Sequence, residues 1–144
     1  MNYIKHLLKS YPVTSFYILT IWILCFASIP QTPLDNVTLI DKWVHTAMYL
    51  GTFGTLWLEY LRRHKHKCDI GGGFRYEIDK GKLFLLAWLA PVMMSGLIEI
   101  LQAKCTGGRR SGEWLDFAAN SIGVTLAAIG GIIWMKIRNR KAKN

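Results

Sequence analysis

Apolar residues in this chain gather into four blocks, residues 11–29, 44–61, 83–101 and 117–135, separated by polar segments. Each block is 18 or 19 residues long, close to the roughly 20 that a helix needs to cross about 30 Å of hydrocarbon. The core helix of a water-soluble protein is usually shorter and keeps a polar face, which these blocks almost lack. The pattern predicts an all-α integral membrane protein with four transmembrane helices, forming one domain over residues 1–144. No internal repeat, low-complexity tract or second domain is visible in the sequence.

Punctuation between the blocks sets their ends. Pro12 suits the first turn of the first helix, where a missing N–H is harmless, and the prolines in Ser28-Ile-Pro-Gln-Thr-Pro33 end it. Asp41 is a plausible N-cap for the second helix and Asp116 for the fourth. Gly51 and Gly54 fit close helix contact in the second. Glu59, beside Arg62 and Arg63, reads as a surface ion pair or a snorkelling side chain. The segment from His64 to Lys82, with Gly71-Gly72-Gly73, reads as a flexible loop, and its two histidines are a weak metal signal. Pro91 predicts a kink in the third helix. Ala119, Gly123, Ala127 and Gly131 recur at four-residue spacing, a stripe that lets a neighbouring helix approach closely.

The net charge of +9 changes the picture through its distribution. Of the 18 Lys and Arg residues, only Lys42, Lys104, Arg109 and Arg110 fall outside the N-terminal flank, the 62–82 loop and the C-terminal tail. The positive-inside rule then predicts both termini and the middle loop in the cytoplasm. Basic residues that flank spans serve topology and anionic-lipid contact, so nucleic acid is excluded as a partner; the lipid bilayer is the expected one. The first block exceeds the usual signal-peptide core, and Phe26-Ala-Ser-Ile-Pro30 is a poor cleavage site, so an uncleaved helix is expected. Cys25, Cys68 and Cys105 fall in different compartments of this topology and carry no zinc-site spacing.

Candidate chemistry lies at one depth. Glu99 sits in an apolar run, where a carboxylate at mid-membrane costs roughly 2.5–3.5 kcal/mol by insertion scales and less toward the ends. It falls about one turn inside the outer end of the third block and shares a helix face with Ser95 and Gln102 by i, i+4, i+7 spacing. His45 lies one turn below Asp41, and Asn120 one turn below Asp116. Three spans therefore present polar groups near the outer leaflet, with Arg109, Arg110 and Glu113 in the loop just above.

These residues also carry a resemblance. Glu99-Ile-Leu-Gln102, then Arg110-Ser-Gly-Glu-Trp-Leu-Asp116-Phe-Ala-Ala-Asn120-Ser-Ile-Gly123, with Asp41-Lys42-Trp43-Val44-His45 upstream, resembles the motifs of the VanZ-like membrane proteins. The likeness covers about residues 28–134. By spacing to Asp116 the match is Arg110, with Arg109 extra, and the long basic loop departs from the short family core. The resemblance implies a multi-pass protein of the bacterial inner membrane, in a family whose founding member is associated with low-level teicoplanin resistance.

Two classes of chemistry follow. Asp41, His45, Glu99, Gln102, Arg110, Asp116 and Asn120 form a binding set for an anionic envelope lipid or a lipid-linked cell-wall precursor, with Arg110 offering a bidentate fork to phosphate or carboxylate. Alternatively, His45, Glu99 and Asp116 are catalytic acid/base groups of a membrane-embedded hydrolase or transferase. In that second class a divalent metal on Asp41, His45, Glu99 and Asp116 is a variant, although no cofactor or metal is the primary expectation. A third reading makes the layer a structural network in a regulatory subunit.

Overall fold

The computed structural model describes residues 2–27, 40–67, 74–76, 78–105 and 113–141. These form helices α1 (Asn2–Ser10) and α2 (Pro12–Phe26), then α3 (Ile40–Arg63). A short ribbon of β1 (Lys65–Lys67) and β2 (Phe74–Tyr76) follows, then α4 (Lys80–Cys105) and α5 (Trp114–Lys141). The block pattern does not predict α1, whose nine residues are too few to register as an apolar run. Residues 28–39, Cys68, the glycine triplet, and Arg109 and Arg110 lie outside the described residues.

Pro12 does open α2, but its cap comes from another helix. Tyr11 offers no side-chain cap. Instead the Glu59 carboxylate of α3 accepts from Val13 N–H at 3.0 Å, Thr14 N–H at 3.1 Å and the Thr14 hydroxyl at 2.7 Å. The local pairing expected for Glu59 is thus corrected: orphan N–H groups at a helix start, with the positive end of its dipole, attract the carboxylate. Arg63 is also engaged elsewhere, donating to the carbonyls of Ser10 at 2.6 Å and Lys9 at 3.1 Å at the end of α1.

The most extensive helix pairing is α3 on α5. Gly123 makes it close: a Cβ there would collide with the Thr46 carbonyl and sit 3.0 Å from Leu50 N. Gly131 lies directly beneath the Trp57 ring. Gly51 and Gly54, expected at a helix contact, meet nothing within 4 Å and instead line an open cleft with Leu126, Gly130 and Trp134. Small residues mark a close approach only on the face that a partner helix occupies.

Helix α4 starts at an Asp79 cap that accepts from the N–H groups of Gly81 at 3.0 Å and Lys82 at 3.2 Å. Those donors, Lys82 first, hold the Asp79 carboxyl below its ordinary range. Where Pro91 predicts a kink, the helix contains a π-turn over Leu85–Leu89, with Ala90 N–H bonded to the Leu85 carbonyl five residues back. Proline has no N–H to return to Ala87, and the wider turn takes up the register around it. The 64–82 loop is more ordered than a flexible linker at its described ends. Lys65 to Lys67 pair antiparallel with Phe74 to Tyr76, and Asn139 of α5 holds Tyr76 at both its N–H and its carbonyl. His64 stacks on Tyr60 and bonds the Tyr60 carbonyl, at 2.8 Å.

Among the described residues two helices, α4 and α5, are long and apolar enough to cross a membrane, with mean hydropathy 2.0 and 1.6 over their best windows. Helix α2 is apolar but only 15 residues long. Helix α3 has 24 residues, and its polar side chains lower its average. Those include His45 and Thr52, which are buried, while Trp43, Val44, Leu50 and Leu58 are exposed.

Candidate functional site

The polar residues of three helices meet at the end of the bundle where α3 and α5 begin and α4 finishes. Neither Asp41 nor Asp116 is an N-cap. Helix α3 already starts at Ile40 and α5 at Trp114, so both aspartates lie within a first turn with their carboxylates free to face sideways. Between them stands Lys42. Its ammonium lies 3.1 Å from Asp41 Oδ2, 2.6 Å from Glu113 Oε2 and 2.5 Å from Asp116 Oδ1. In the sequence Lys42 stands out as one of four basic residues on the sparse side and as part of the Asp41–His45 motif, but not as a site residue. The signal that marks it is its place between Asp41 and His45.

One turn deeper, His45 Nδ1 is 3.0 Å from Asn120 Oδ1 and Asn120 Nδ2 donates to Ser95 Oγ at 2.9 Å. The chain of bonds thereby joins α3, α5 and α4. With its amide nitrogen given to Ser95, Asn120 presents oxygen to the imidazole, so Nδ1 carries the proton and Nε2 keeps its lone pair in the neutral ring. That Nε2 faces Asp41 Oδ1 at 3.7 Å and Asp116 Oδ2 at 3.9 Å, too far for hydrogen bonds. The two aspartates each turn one oxygen toward Lys42 and the other toward His45.

Ser95, Glu99 and Gln102 are all buried, as their shared face requires. They do different things. Glu99 Oε2 accepts from Glu113 N–H at 3.1 Å, and its carboxylate lies within the fields of Asp116, His45 and Lys42. Its Oε1 is buried with no hydrogen-bond partner among the described residues. Gln102 turns to the other neighbour and donates to the Cys25 carbonyl at 2.8 Å, tying α4 to the last turn of α2. Fully buried Tyr49 sits near Ser95, and Thr46 bonds the Ala119 carbonyl at 3.1 Å.

Three of the seven predicted binding residues, Asp41, His45 and Asp116, form a compact group whose ligand atoms lie within 4.8 Å of one another. Asn120 and Glu99 border it, Gln102 stands apart at the α2 contact, and Arg110 is outside the described residues. The group is buried on its His45 and Asp116 sides and open at Asp41, whose side chain is 63% exposed. Its open side therefore faces the end of the bundle. An apolar cleft of about 500 Å³ between Trp57, Leu83, Ala87, Trp88 and Ile132 is lined by none of these residues. Comparison of the chain with family models, with curated proteins and with solved structures returned no match.

Proposed function

We propose that this chain is a four-span bacterial inner-membrane protein, with both termini cytoplasmic, that binds a polar headgroup in the layer around His45 and Glu99. The motif resemblance to VanZ-like proteins supports that setting. So does the outside of the bundle. Phe16, Leu19 and Ile23 on α2, Val44 and Leu58 on α3, Met93 and Ile100 on α4 and Ile122, Ile129 and Ile133 on α5 are all exposed, a belt that water would not favour. Trp43 and Trp114 are exposed at the end that carries the polar layer, where indole rings suit a membrane interface. Reporter fusions after residues 36, 70, 106 and 144 are expected to alternate outside, inside, outside, inside. An inside signal at residue 106 would place the polar layer on the wrong side of the membrane for an outer-leaflet headgroup.

The observation that carries the binding reading is the leftover acceptor of Glu99, whose Oε1 is buried with no hydrogen-bond partner among the described residues. An unmet carboxylate oxygen in an apolar surrounding is costly unless a ligand or partner meets it. In this reading hydroxyl or amine groups of an envelope-lipid or cell-wall-precursor headgroup donate to Glu99 and the aspartates, and its phosphate takes Arg110. The test uses dihexanoyl phosphatidylglycerol, whose headgroup has hydroxyl donors, against dihexanoyl phosphatidylcholine, which has none, with tryptophan fluorescence of the detergent-purified protein as readout. Saturable binding of the glycerol lipid is expected, about tenfold weaker in Glu99→Gln and in Arg110→Lys and unchanged in Arg109→Lys. An equal response to both lipids, or a folded Glu99→Gln protein with undiminished affinity, would instead favour a layer that only holds helices together.

A further inference from the structure

The Nε2 of His45 points at two carboxylate oxygens that are too distant to bond it and too close to ignore. Three electron-rich atoms this close together, all within 4.8 Å of one another, call for a proton or a cation among them. The side of the group away from His45 is already arranged for that. Lys42 takes Asp41 Oδ2 and Asp116 Oδ1, leaving Asp41 Oδ1 and Asp116 Oδ2 directed toward the imidazole. Asn120 fixes the tautomer from behind, the arrangement by which a second residue orients a metal-binding histidine. Charge agrees with geometry. Among the described residues, Asp41, Asp116 and Glu99 lie around the Lys42 ammonium, and Glu99, more than nine-tenths buried, has an oxygen without a partner there.

We infer that Asp41, His45 and Asp116 bind one divalent transition-metal ion through Asp41 Oδ1, His45 Nε2 and Asp116 Oδ2. Zinc with nitrogen and oxygen ligands at about 2.0–2.2 Å holds neighbouring ligand atoms roughly 3.3–3.5 Å apart at tetrahedral angles. The observed 3.7 and 3.9 Å need only a few tenths of an ångström of contraction, and all three ligand atoms lie within 4.8 Å of one another. One imidazole with two carboxylates suits Zn²⁺ better than Ca²⁺ or Mg²⁺, which prefer all-oxygen shells. Three protein ligands leave a fourth position, on the exposed Asp41 side, for water or for an oxygen of a bound headgroup. The inference rests on reading this layer as a binding site, and gives that site its cation.

The test uses the full chain, purified in detergent with a cleaved affinity tag, and metal alone with no lipid. Titration with Zn²⁺ by calorimetry is expected to show one site, and Co²⁺ is expected to give visible absorption bands typical of low coordination. Asp41→Asn and His45→Gln are each expected to weaken Zn²⁺ at least tenfold. Asn120→Ala, which leaves every ligand in place, is expected to weaken it about tenfold through the freed imidazole. Glu59→Gln at the opposite end serves as the unchanged control. Asp41 is exposed, so its variant folds even if the buried ones do not. Absence of a site tighter than about 100 μM, or an Asp41→Asn protein that binds as the unaltered chain does, would overturn the inference. Because the readout contains no lipid, a protein that binds zinc but no headgroup refutes only the headgroup reading.

Discussion

Gly123→Val is expected to prevent α3 and α5 from docking, so that the purified protein loses its cooperative thermal transition and its symmetrical size-exclusion peak. Even the Cβ of an alanine would overlap the Thr46 carbonyl, with Leu50 N at 3.0 Å and Tyr49 Cβ at 3.1 Å. Two of those three neighbours are backbone atoms, which do not yield by rotating. Overpacking costs typically 1–3 kcal/mol where side chains can adjust; here the helices themselves must separate, which puts Gly123→Ala near the upper end and the valine beyond it. Gly130, on the same helix, has open space around it. Gly130→Ala is expected to be neutral or stabilising by up to about 1 kcal/mol through helix propensity. Similar losses from both would mean that α5 tolerates no side chain anywhere along that stretch and would remove the special status of the Thr46 contact.

Lys42→Ala is expected to have the largest effect among the polar residues. It would leave Asp41, Glu113 and Asp116 facing one another without their shared ammonium. Breaking a fully buried pair costs about 3–5 kcal/mol. Asp116 is close to that limit, but Asp41 and Glu113 are 63% and 47% exposed, so a loss of roughly 2–3 kcal/mol is the appropriate scale. The repulsion argument makes a sharper statement about the double variant. Asp116→Asn removes one of the crowded charges, so Lys42→Ala with Asp116→Asn should be less destabilised than the sum of the single changes. Chemical denaturation of the four proteins measures the difference. Strict additivity would show that Lys42 acts by packing its aliphatic stem and not by its charge.

Helix period made part of this arrangement legible in advance. The i, i+4, i+7 spacing put Ser95, Glu99 and Gln102 on one face, and all three are buried. Equal distance from a helix end put His45 and Asn120 at one depth, where they are bonded. What the sequence could not convey is which long-range partner wins when a near one is also available. Glu59 has two arginines within four residues and bonds neither, because three donors at the start of α2 face it more favourably. Gln102 shares the face of Glu99 but lies one turn farther on, where α2 replaces α5 as the neighbour. Lys42 is a similar case, since its role depends on Glu113 and Asp116, more than 70 positions away. The two aspartates read as caps for a simpler reason: an apolar block begins after its helix does, and the first turn is polar.

The five-residue turn at Leu85–Leu89 has an angular meaning. A helix advances by about 100° per residue, and a π-turn holds one residue more than an α-helix would need to cover the same rise. Were that turn to close up as regular α-helix with no residue lost, the lower half of α4 would stay in its groove and everything above would turn by nearly a third of a revolution. Ser95 would leave Asn120, Glu99 would leave Glu113, and Gln102 would leave the end of α2. In this sense the extra residue acts as the phase setting of the helix: it lies several turns away from His45, touches none of the polar layer, and yet determines which side chains arrive there.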